Sequence, residues 1–274
     1  MGKNLIDITS KLGVLFNKCS PQVKENSLEW YLAGSLATMI TGDALELSEV
    51  ILDENNNIVS FDKKIVLNDY QRTKIGTFER KLGSDVDVVN VNGSMFGGAS
   101  YGSKPSIDFI KNNISNITDL IPSFEFVGGT AYVDNLEQER DIETHHVTKV
   151  VTPNGEVFVT SLPEQLAYKL NDLLVIHEVY FHNNNDRALE HYKKDVRDIL
   201  FMIYGYKDLY SKEVYVERVS KALKYSLNEE IINEILTFFR KNIENSNGVN
   251  ESIEFLEYLL INVYNTQKES KRNK

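Results

Sequence analysis

The stretch GSDVDVVNV, at residues 83–91, decides the expected fold of this chain. Its alternation of polar and apolar residues is typical of a buried strand. Residues two apart on a strand share a face, so Asp85 and Asp87 are expected to project together, away from Val86. Neighbouring carboxylates repel each other unless a cation lies between them. Mg²⁺ prefers hard oxygen ligands, and the stretch therefore predicts a magnesium-binding strand.

A second stretch, YLAGSLATMI at residues 31–40, predicts a turn followed by a short helix. Gly34-Ser35 stands at the expected helix start, where backbone N–H groups bind phosphate. Alone, such a dipeptide is also typical of an ordinary helix cap. Gly83-Ser84 is a competing candidate, but a turn inside the acidic strand cannot also open a helix. With the acidic pair, Gly34-Ser35 predicts a site for metal-assisted nucleotidyl transfer.

Composition indicates an ordinary soluble protein. The chain has 274 residues, of which 42% are hydrophobic and 26% are charged, and the formal net charge is −10. This acidity argues against a generally basic nucleic-acid-binding protein, although Lys193, Lys194 and Arg197 form a local basic cluster. The single Cys19 excludes an intramolecular disulfide. Because neither a signal peptide nor a membrane span is recognisable, we expect a cytoplasmic protein without membrane association.

The order of patterns predicts an α+β fold followed by an all-helical C-terminal domain. An Asn-rich turn between two β-rich runs indicates a hairpin. After Pro163 the chain becomes a succession of helical patterns. The predicted elements are an amphipathic helix from residue 1 to about 30, a hairpin at 45–67, a helix at 106–121 and strands from FEFVGG to residue 160. The predicted domains are 1–160 and 161–274, with the hairpin inside an insertion near 42–82.

The first C-terminal helix carries a candidate functional lysine. Ser161 and Glu164 have the spacing of a capping box, which predicts a helix start. Lys169 lies beside an apolar stripe that a bundle would bury, so it either extends to solvent or points towards a triphosphate. The stripe consists of Leu166, Leu170, Leu173 and Leu174.

The next helix carries two aspartates on one face. Asp195 and Asp198 are three residues apart in HYKKDVRDIL, a spacing that places them side by side on a helix. Surface salt bridges with Lys194 or Arg197 are one interpretation of this pair. Ile199, Leu200, Met202 and Ile203 are expected to face the core.

These blocks together resemble the DNA polymerase β-like nucleotidyltransferase superfamily, and within it the AbiEii/AbiGii toxin family of abortive-infection and toxin–antitoxin systems. The resemblance rests on LAGSLA with SDVDVV, on LPEQLAYKL and on YKKDVRDILFM, across roughly residues 30–205. It implies a polymerase β-like mixed sheet with flanking helices. In the family the acidic pair follows Gly-Ser closely, whereas Asp85 lies fifty positions after Ser35 here. The segment 42–82 is therefore expected to be an insertion.

The resemblance also implies roles for the first block. Gly34 and Ser35 would hold the phosphates of an incoming NTP, and Asp85 and Asp87 would hold two Mg²⁺ ions. A third carboxylate from a neighbouring strand would complete the metal site. Its candidates are Asp141 and Glu143, with Glu125 a weaker one.

For the helical block, the resemblance implies that Lys169 stabilises charge on the triphosphate. Asp195 would orient Lys169 or contact the nucleotide. Asp198 would brace the helix near the NTP site.

The implied activity is transfer of NMP from an NTP to RNA, notably the 3′ end of tRNA, by a toxin countered by a cognate antitoxin. Two alternatives remain open from the sequence. A small-molecule nucleotidyltransferase of the antibiotic-modifying type shares the same core, and its cationic substrates would favour an acidic pocket. A non-catalytic interaction module could keep the fold, although Asp85, Asp87 and Lys169 are all retained.

Overall fold

The computed structural model describes residues 2–19, 21–55, 57–76, 85–90, 132–135, 146–183, 186–242 and 247–272. The chain divides into two compact units, Met1–Ser161 and Leu162–Lys274. The sequence predicts the end of the first domain at residue 160, one residue before the end of the first unit. The first unit is α+β and the second is helical in its described parts.

The first unit combines a mixed sheet with three helices in its described residues. The helices are α1 (Gly2–Cys19), α2 (Gly34–Gly42) and α3 (Asp69–Gly76). The strands are β1 (Val23–Lys24), β2 (Ser27–Leu28), β3 (Trp30–Leu32), β4 (Glu46–Leu52), β5 (Ile58–Val66), β6 (Asp85–Asn90), β7 (Tyr132–Asn135), β8 (Val147–Thr152) and β9 (Gly155–Thr160).

Among the described strands, seven form one sheet in the order β5-β4-β8-β9-β3-β6-β7, and β1 and β2 form a separate small hairpin. The β3–β9 and β6–β7 pairs are parallel, while the other pairs of the large sheet are antiparallel. This confirms a mixed sheet. The inserted hairpin β4–β5 lies at one end of the strand order, so β3 and β6 pair directly although the segment 42–82 separates them in sequence.

The two faces of the sheet have different coverings. Helices α1 and α2 pack against each other and against the sheet. Gly13 of α1 allows this close approach, because a Cβ there would lie 2.4 Å from the Cδ1 atom of Ile40 and 3.5 Å from Val157. Neighbours along a strand face opposite ways, so the face of Phe158 is opposite to that of Val157. On the Phe158 face lies a buried apolar cluster made of Leu28, Tyr31, Ala33, Val50, Val147 and Phe158.

Local turn chemistry explains both hairpins. The carboxylate of Asp53 accepts hydrogen bonds from the backbone N–H groups of Asn55 and Asn57, each at 2.8 Å, and so fixes the predicted Asn-rich turn. The Pro-Asn-Gly segment at 153–155 joins β8 to β9. Gly155 has φ +141°, in the region that favours glycine.

One sequence expectation about local structure is wrong, and two others fall wholly or partly outside the described residues. The first helix ends at Cys19 and not near residue 30, because Pro21 disfavours helix continuation. The helix expected at 106–121 lies outside the described residues. The strands expected between FEFVGG and residue 160 are described only for β7, β8 and β9.

The second unit is a set of packed helices. They are α4 (Leu162–Asn183), α5 (Asp186–Tyr206), α6 (Lys212–Ala222), α7 (Glu229–Asn242) and α8 (Asn247–Arg272). Helix α4 packs against α5 and α6, and α8 packs against α5, α6 and α7. The predicted apolar stripes of α4 and α5 are confirmed, since their eight members are all buried: Leu166, Leu170, Leu173, Leu174, Ile199, Leu200, Met202 and Ile203.

A buried ion pair joins α4 to α6. The Arg218 guanidinium donates two hydrogen bonds to the Glu164 carboxylate, at 2.7 and 2.5 Å. The half of the expected capping box in which Glu164 accepts from the N–H of Ser161 is wrong, because that N–H donates to the carbonyl of His146 and the Glu164 carboxylate accepts from Arg218. Helix α4 still begins where the pattern predicted. Among the described residues, no helix has the length and apolar character that crossing a bilayer requires.

Candidate functional site

The acidic pair lies on a strand next to the strand that leads into α2. Strand β6 runs antiparallel to β3, with Leu32 opposite Val88 and Tyr31 opposite Val89. Residues 85, 87 and 89 share one face of the sheet by alternation. This is the face of Tyr31, opposite the one covered by α1 and α2. Asp85 and Asp87 therefore occupy positions on the face of the sheet that α1 and α2 do not cover.

Gly34-Ser35 lies at the same end of the sheet as the acidic pair. Ala33 follows the Leu32–Val88 pair with an extended backbone, at φ −129° and ψ −168°. One further step of antiparallel register brings residue 33 opposite residue 87. Gly34 then turns the chain into α2 with φ +59°, a left-handed conformation that suits glycine. The start of α2 is thus one residue beyond the position opposite Asp87.

Strand β7 adds a third carboxylate that the sequence analysis did not select. In the parallel β6–β7 pair, Asp87 is in register with Asp134 and Asp85 with Tyr132. Register-matched residues on neighbouring strands share a face, and the strands are about 4.8 Å apart. Asp85, Asp87 and Asp134 thus form a row on adjacent strands, which we call the carboxylate row.

The three third-carboxylate candidates from the sequence cannot be compared with this row. Asp141, Glu143 and Glu125 all lie outside the described residues. Asp134 belongs to the stretch FEFVGGTAYVD, which the sequence analysis interpreted as a strand. The sequence offered one signal for Asp134, which is its place near the end of a short β-rich run. Only its register with Asp87 distinguishes Asp134 from other acidic residues.

The donor set of the carboxylate row fits a hard divalent cation. Carboxylate oxygens are the ligands that Mg²⁺ and Mn²⁺ prefer. Among the residues whose side chains the structure describes, no group of three or more His, Cys, Asp or Glu side chains has an arrangement that could hold a metal ion.

In the second unit, Lys169 contacts three carboxylates. Its Nζ atom lies 3.2 Å from Oδ1 of Asp195, 3.5 Å from Oδ2 of Asp198 and 3.7 Å from Oδ2 of Asp172. The side chains of Lys169, Asp195 and Asp198 are 15%, 6% and 5% exposed, whereas that of Asp172 is 60% exposed. We call these four residues the Lys169 cage.

The cage changes the interpretation of the α5 aspartates. Surface salt bridges with Lys194 or Arg197 were one interpretation from the sequence, and bracing of the helix was expected for Asp198. Both aspartates are instead buried against Lys169 of α4. Lys169 does not extend to solvent. The geometry agrees with the expectation that Asp195 orients Lys169, to which it is hydrogen bonded.

The electrostatics of the cage are dominated by burial. Burial raises the pKa of Asp195, and the nearby Lys169 ammonium lowers it again in part. The charges of Asp172 and Asp198 raise the pKa of Asp195 further. Asp172 is the member that the sequence analysis missed, although its position three residues after Lys169 on a helix was a usable signal.

The site residues that lie in the described part of the chain thus fall into two groups, each within one unit. The start of α2 and the carboxylate row belong to the first unit, and the Lys169 cage belongs to the second. Comparison of the chain with protein-family models, with curated proteins and with solved structures gave no match.

Proposed function

We propose that this protein is a metal-dependent nucleotidyltransferase that transfers NMP from an NTP to an acceptor. The proposal rests on one observation above all: the register that aligns Asp87 with Asp134 and brings the start of α2 next to Asp87. A phosphate-binding helix start beside a row of carboxylates is the arrangement that metal-assisted phosphoryl chemistry needs.

The carboxylate row and the start of α2 would have different tasks. Asp85, Asp87 and Asp134 would hold Mg²⁺, two ions being expected. The ions would supply charge neutralisation on the triphosphate and activation of the acceptor hydroxyl. The backbone N–H groups at Gly34 and Ser35 would orient the phosphates, because the N-terminus of a helix carries a partial positive charge.

For Lys169 of the second unit, the resemblance of the LPEQLAYKL block supports a phosphate-binding role. Lys169 would stabilise negative charge on the phosphates, as a positioned electrostatic group. Asp195 and Asp198 would hold its side chain in place. Lysine contacts phosphate as a compact point charge, which suits this role.

For the acceptor we propose RNA, with the 3′ end of tRNA as the first candidate. This choice comes from the resemblance of the motif blocks to the AbiEii/AbiGii toxin family, which also implies a toxin role and a cognate antitoxin. Transfer to a small molecule and binding without catalysis are the alternatives if RNA is not labelled.

The test is an incubation of the purified protein with Mg²⁺, each α-³²P-labelled NTP in turn and total RNA. Wild-type protein is expected to label RNA with one or more NTPs, and Asp87→Asn is expected to lose this activity. Asp62→Asn is the matched control, because Asp62 is an exposed aspartate of β5. Equal labelling by wild type and Asp87→Asn, or its absence with every NTP, would contradict transfer to RNA.

A further inference from the structure

Helix α8 and the segment that joins α6 to α7 carry cations that the proposed function does not use. Residues 220–228 and 262–272 contain five basic residues and one acidic residue, Glu269, in a chain whose formal net charge is −10. The basic residues, all exposed, are Lys221, Lys224, Lys268, Lys271 and Arg272. Lys221 lies 2.6 Å from Glu217, in an exposed and therefore weak ion pair. Positive charge concentrated at one place on an acidic protein indicates a surface that binds an anion.

Side-chain hydrogen bonds hold α8 against this joining segment. The Gln267 amide donates to the carbonyl of Tyr225 at 3.0 Å and accepts from the N–H of Leu227 at 2.9 Å. The Lys271 ammonium donates to the Ser226 hydroxyl at 2.9 Å. The basic residues of α8 therefore lie beside those of the joining segment and form one surface with them.

Helix α4 fixes the joining segment as well. The Asn171 side chain accepts from the backbone N–H of Lys224 at 2.9 Å and donates to the carbonyl of Ala222 at 3.2 Å. A segment held by two helices presents its side chains in a defined arrangement, which lowers the cost of binding. Tyr225, within this segment, is 44% exposed, and it is the one aromatic residue among the exposed large hydrophobic side chains described in the second unit.

Lys268 and Lys271 have uncharged partners. The Nζ atom of Lys268 lies 5.5 Å from the centroid of the Tyr264 ring, and Lys271 is bound to the Ser226 hydroxyl. Neither partner neutralises an ammonium group, so both lysines keep their charge for an anion. Tyr264, Lys268 and Lys271 also share one face of α8 by their helical spacing.

We propose that Tyr225, Lys268, Lys271 and Arg272 form a binding surface for single-stranded RNA, which we call the RNA patch. The three cations would contact phosphates, and the exposed ring of Tyr225 would stack on a base. An acidic peptide would use the cations without the ring, so the role of Tyr225 separates these two partners. The choice of RNA over DNA rests on the proposed function, whereas the surface itself follows from its charge and its exposed ring.

The experiment is fluorescence anisotropy of fluorescein-labelled oligouridine, titrated with the full chain at 50, 100 and 200 mM salt without NTP or metal. Wild type is expected to bind, with log Kd rising linearly with the logarithm of the salt concentration. The double variant Lys268→Gln/Lys271→Gln should lower this slope by about two and weaken binding at 50 mM salt by about tenfold or more. Tyr225→Ala should weaken binding by about fivefold or more with an unchanged slope, because stacking releases no counterions.

The matched control is the double variant Lys212→Gln/Lys241→Gln, which removes the same charge from exposed lysines of the second unit. Lys212 also lies over a tyrosine ring of α8, 4.8 Å from the centroid of Tyr258. Lys212 begins α6 and Lys241 lies in the last turn of α7, so both are at the ends of these helices that are remote from the joining segment. The control should bind oligouridine with the affinity and the slope of wild type.

Three results would overturn the RNA patch. They are no binding of oligouridine by wild type at 50 mM salt, equal losses of affinity in the two double variants, and wild-type affinity in Tyr225→Ala. None of them decides the proposed nucleotidyl transfer, because the binding assay contains neither NTP nor Mg²⁺. Asp87→Asn should bind oligouridine like wild type, so a failure of the labelling test leaves the RNA patch standing. Circular dichroism of each variant verifies that it is folded.

Discussion

Replacing Lys169 by methionine should destabilise the protein strongly and in a pH-dependent way. Methionine keeps the length and apolar stem of lysine but removes the ammonium group. Asp195 and Asp198, both at most 6% exposed, then lack their cation. Removing one partner of a buried ion pair typically costs about 3–5 kcal/mol of unfolding free energy. We expect a loss of this size at pH 7.5.

The sign of the pH dependence follows from the carboxylates left behind. Burial already raises the pKa of Asp195 in the folded state, and without Lys169 the cation that lowers this pKa again is gone. The penalty is therefore fully present above the folded-state pKa values and disappears as pH falls through them. The loss in the variant should shrink between pH 7.5 and pH 5. Adding Asp195→Asn to Lys169→Met should recover part of it at pH 7.5.

Urea unfolding followed by far-ultraviolet circular dichroism measures this loss, because most described helices belong to the second unit. Trp30, the single tryptophan, reports separately on the first unit by fluorescence. Lys193→Met is the matched control, since Lys193 is a surface lysine of α5 paired with Glu190 and should cost under about 1 kcal/mol. A loss for Lys169→Met below 1 kcal/mol, or one that is equal at pH 5 and pH 7.5, would refute the reasoning.

Three further perturbations test other parts of the structure. Arg218→Met removes the cation paired with the buried Glu164 and should lower the free energy of unfolding in urea by about 3–5 kcal/mol. The control Lys221→Met, at an exposed lysine, should lower it by less than about 1 kcal/mol. Equal losses in the two variants would contradict the buried pair. Gly34→Ala forces a Cβ into a left-handed conformation and should cost about 1–2 kcal/mol, so an unchanged stability would argue against this turn. Burial raises the pKa of Asp43, so its ionisation destabilises the folded protein at pH values above that pKa. Asp43→Asn should therefore raise Tm at pH 8 but not at pH 4. A lower Tm of this variant at pH 8 would contradict the sign of the effect.

Local patterns predicted most of the element types, because turn chemistry and periodicity act within a few residues. The β4–β5 hairpin follows from a turn that Asp53 closes, and the apolar stripe of α4 follows from its helical spacing. The end of α1 was missed because its apolar pattern continued past Pro21 in the sequence. The proline overrides that pattern by restricting the backbone before it.

The candidate site was predicted only where its members are close in sequence. Asp85 and Asp87 share a strand, so their common face follows from alternation alone. Asp134 joins them through the β6–β7 register, a pairing between distant segments that no local pattern contains. The contact of Lys169 with Asp195 was expected only from the family resemblance, and its contact with Asp198 was missed, since α4 meets both aspartates through packing of two helices.

The most direct test of the central claim is Mn²⁺ binding measured by electron paramagnetic resonance in the presence of a non-hydrolysable NTP. Mn²⁺ replaces Mg²⁺ at carboxylate sites and gives a signal that decreases on binding. Wild type and Asp62→Asn should bind Mn²⁺, while Asp87→Asn and Asp134→Asn should both lose it. Mn²⁺ binding by Asp134→Asn at wild-type affinity would contradict the carboxylate row as the metal site.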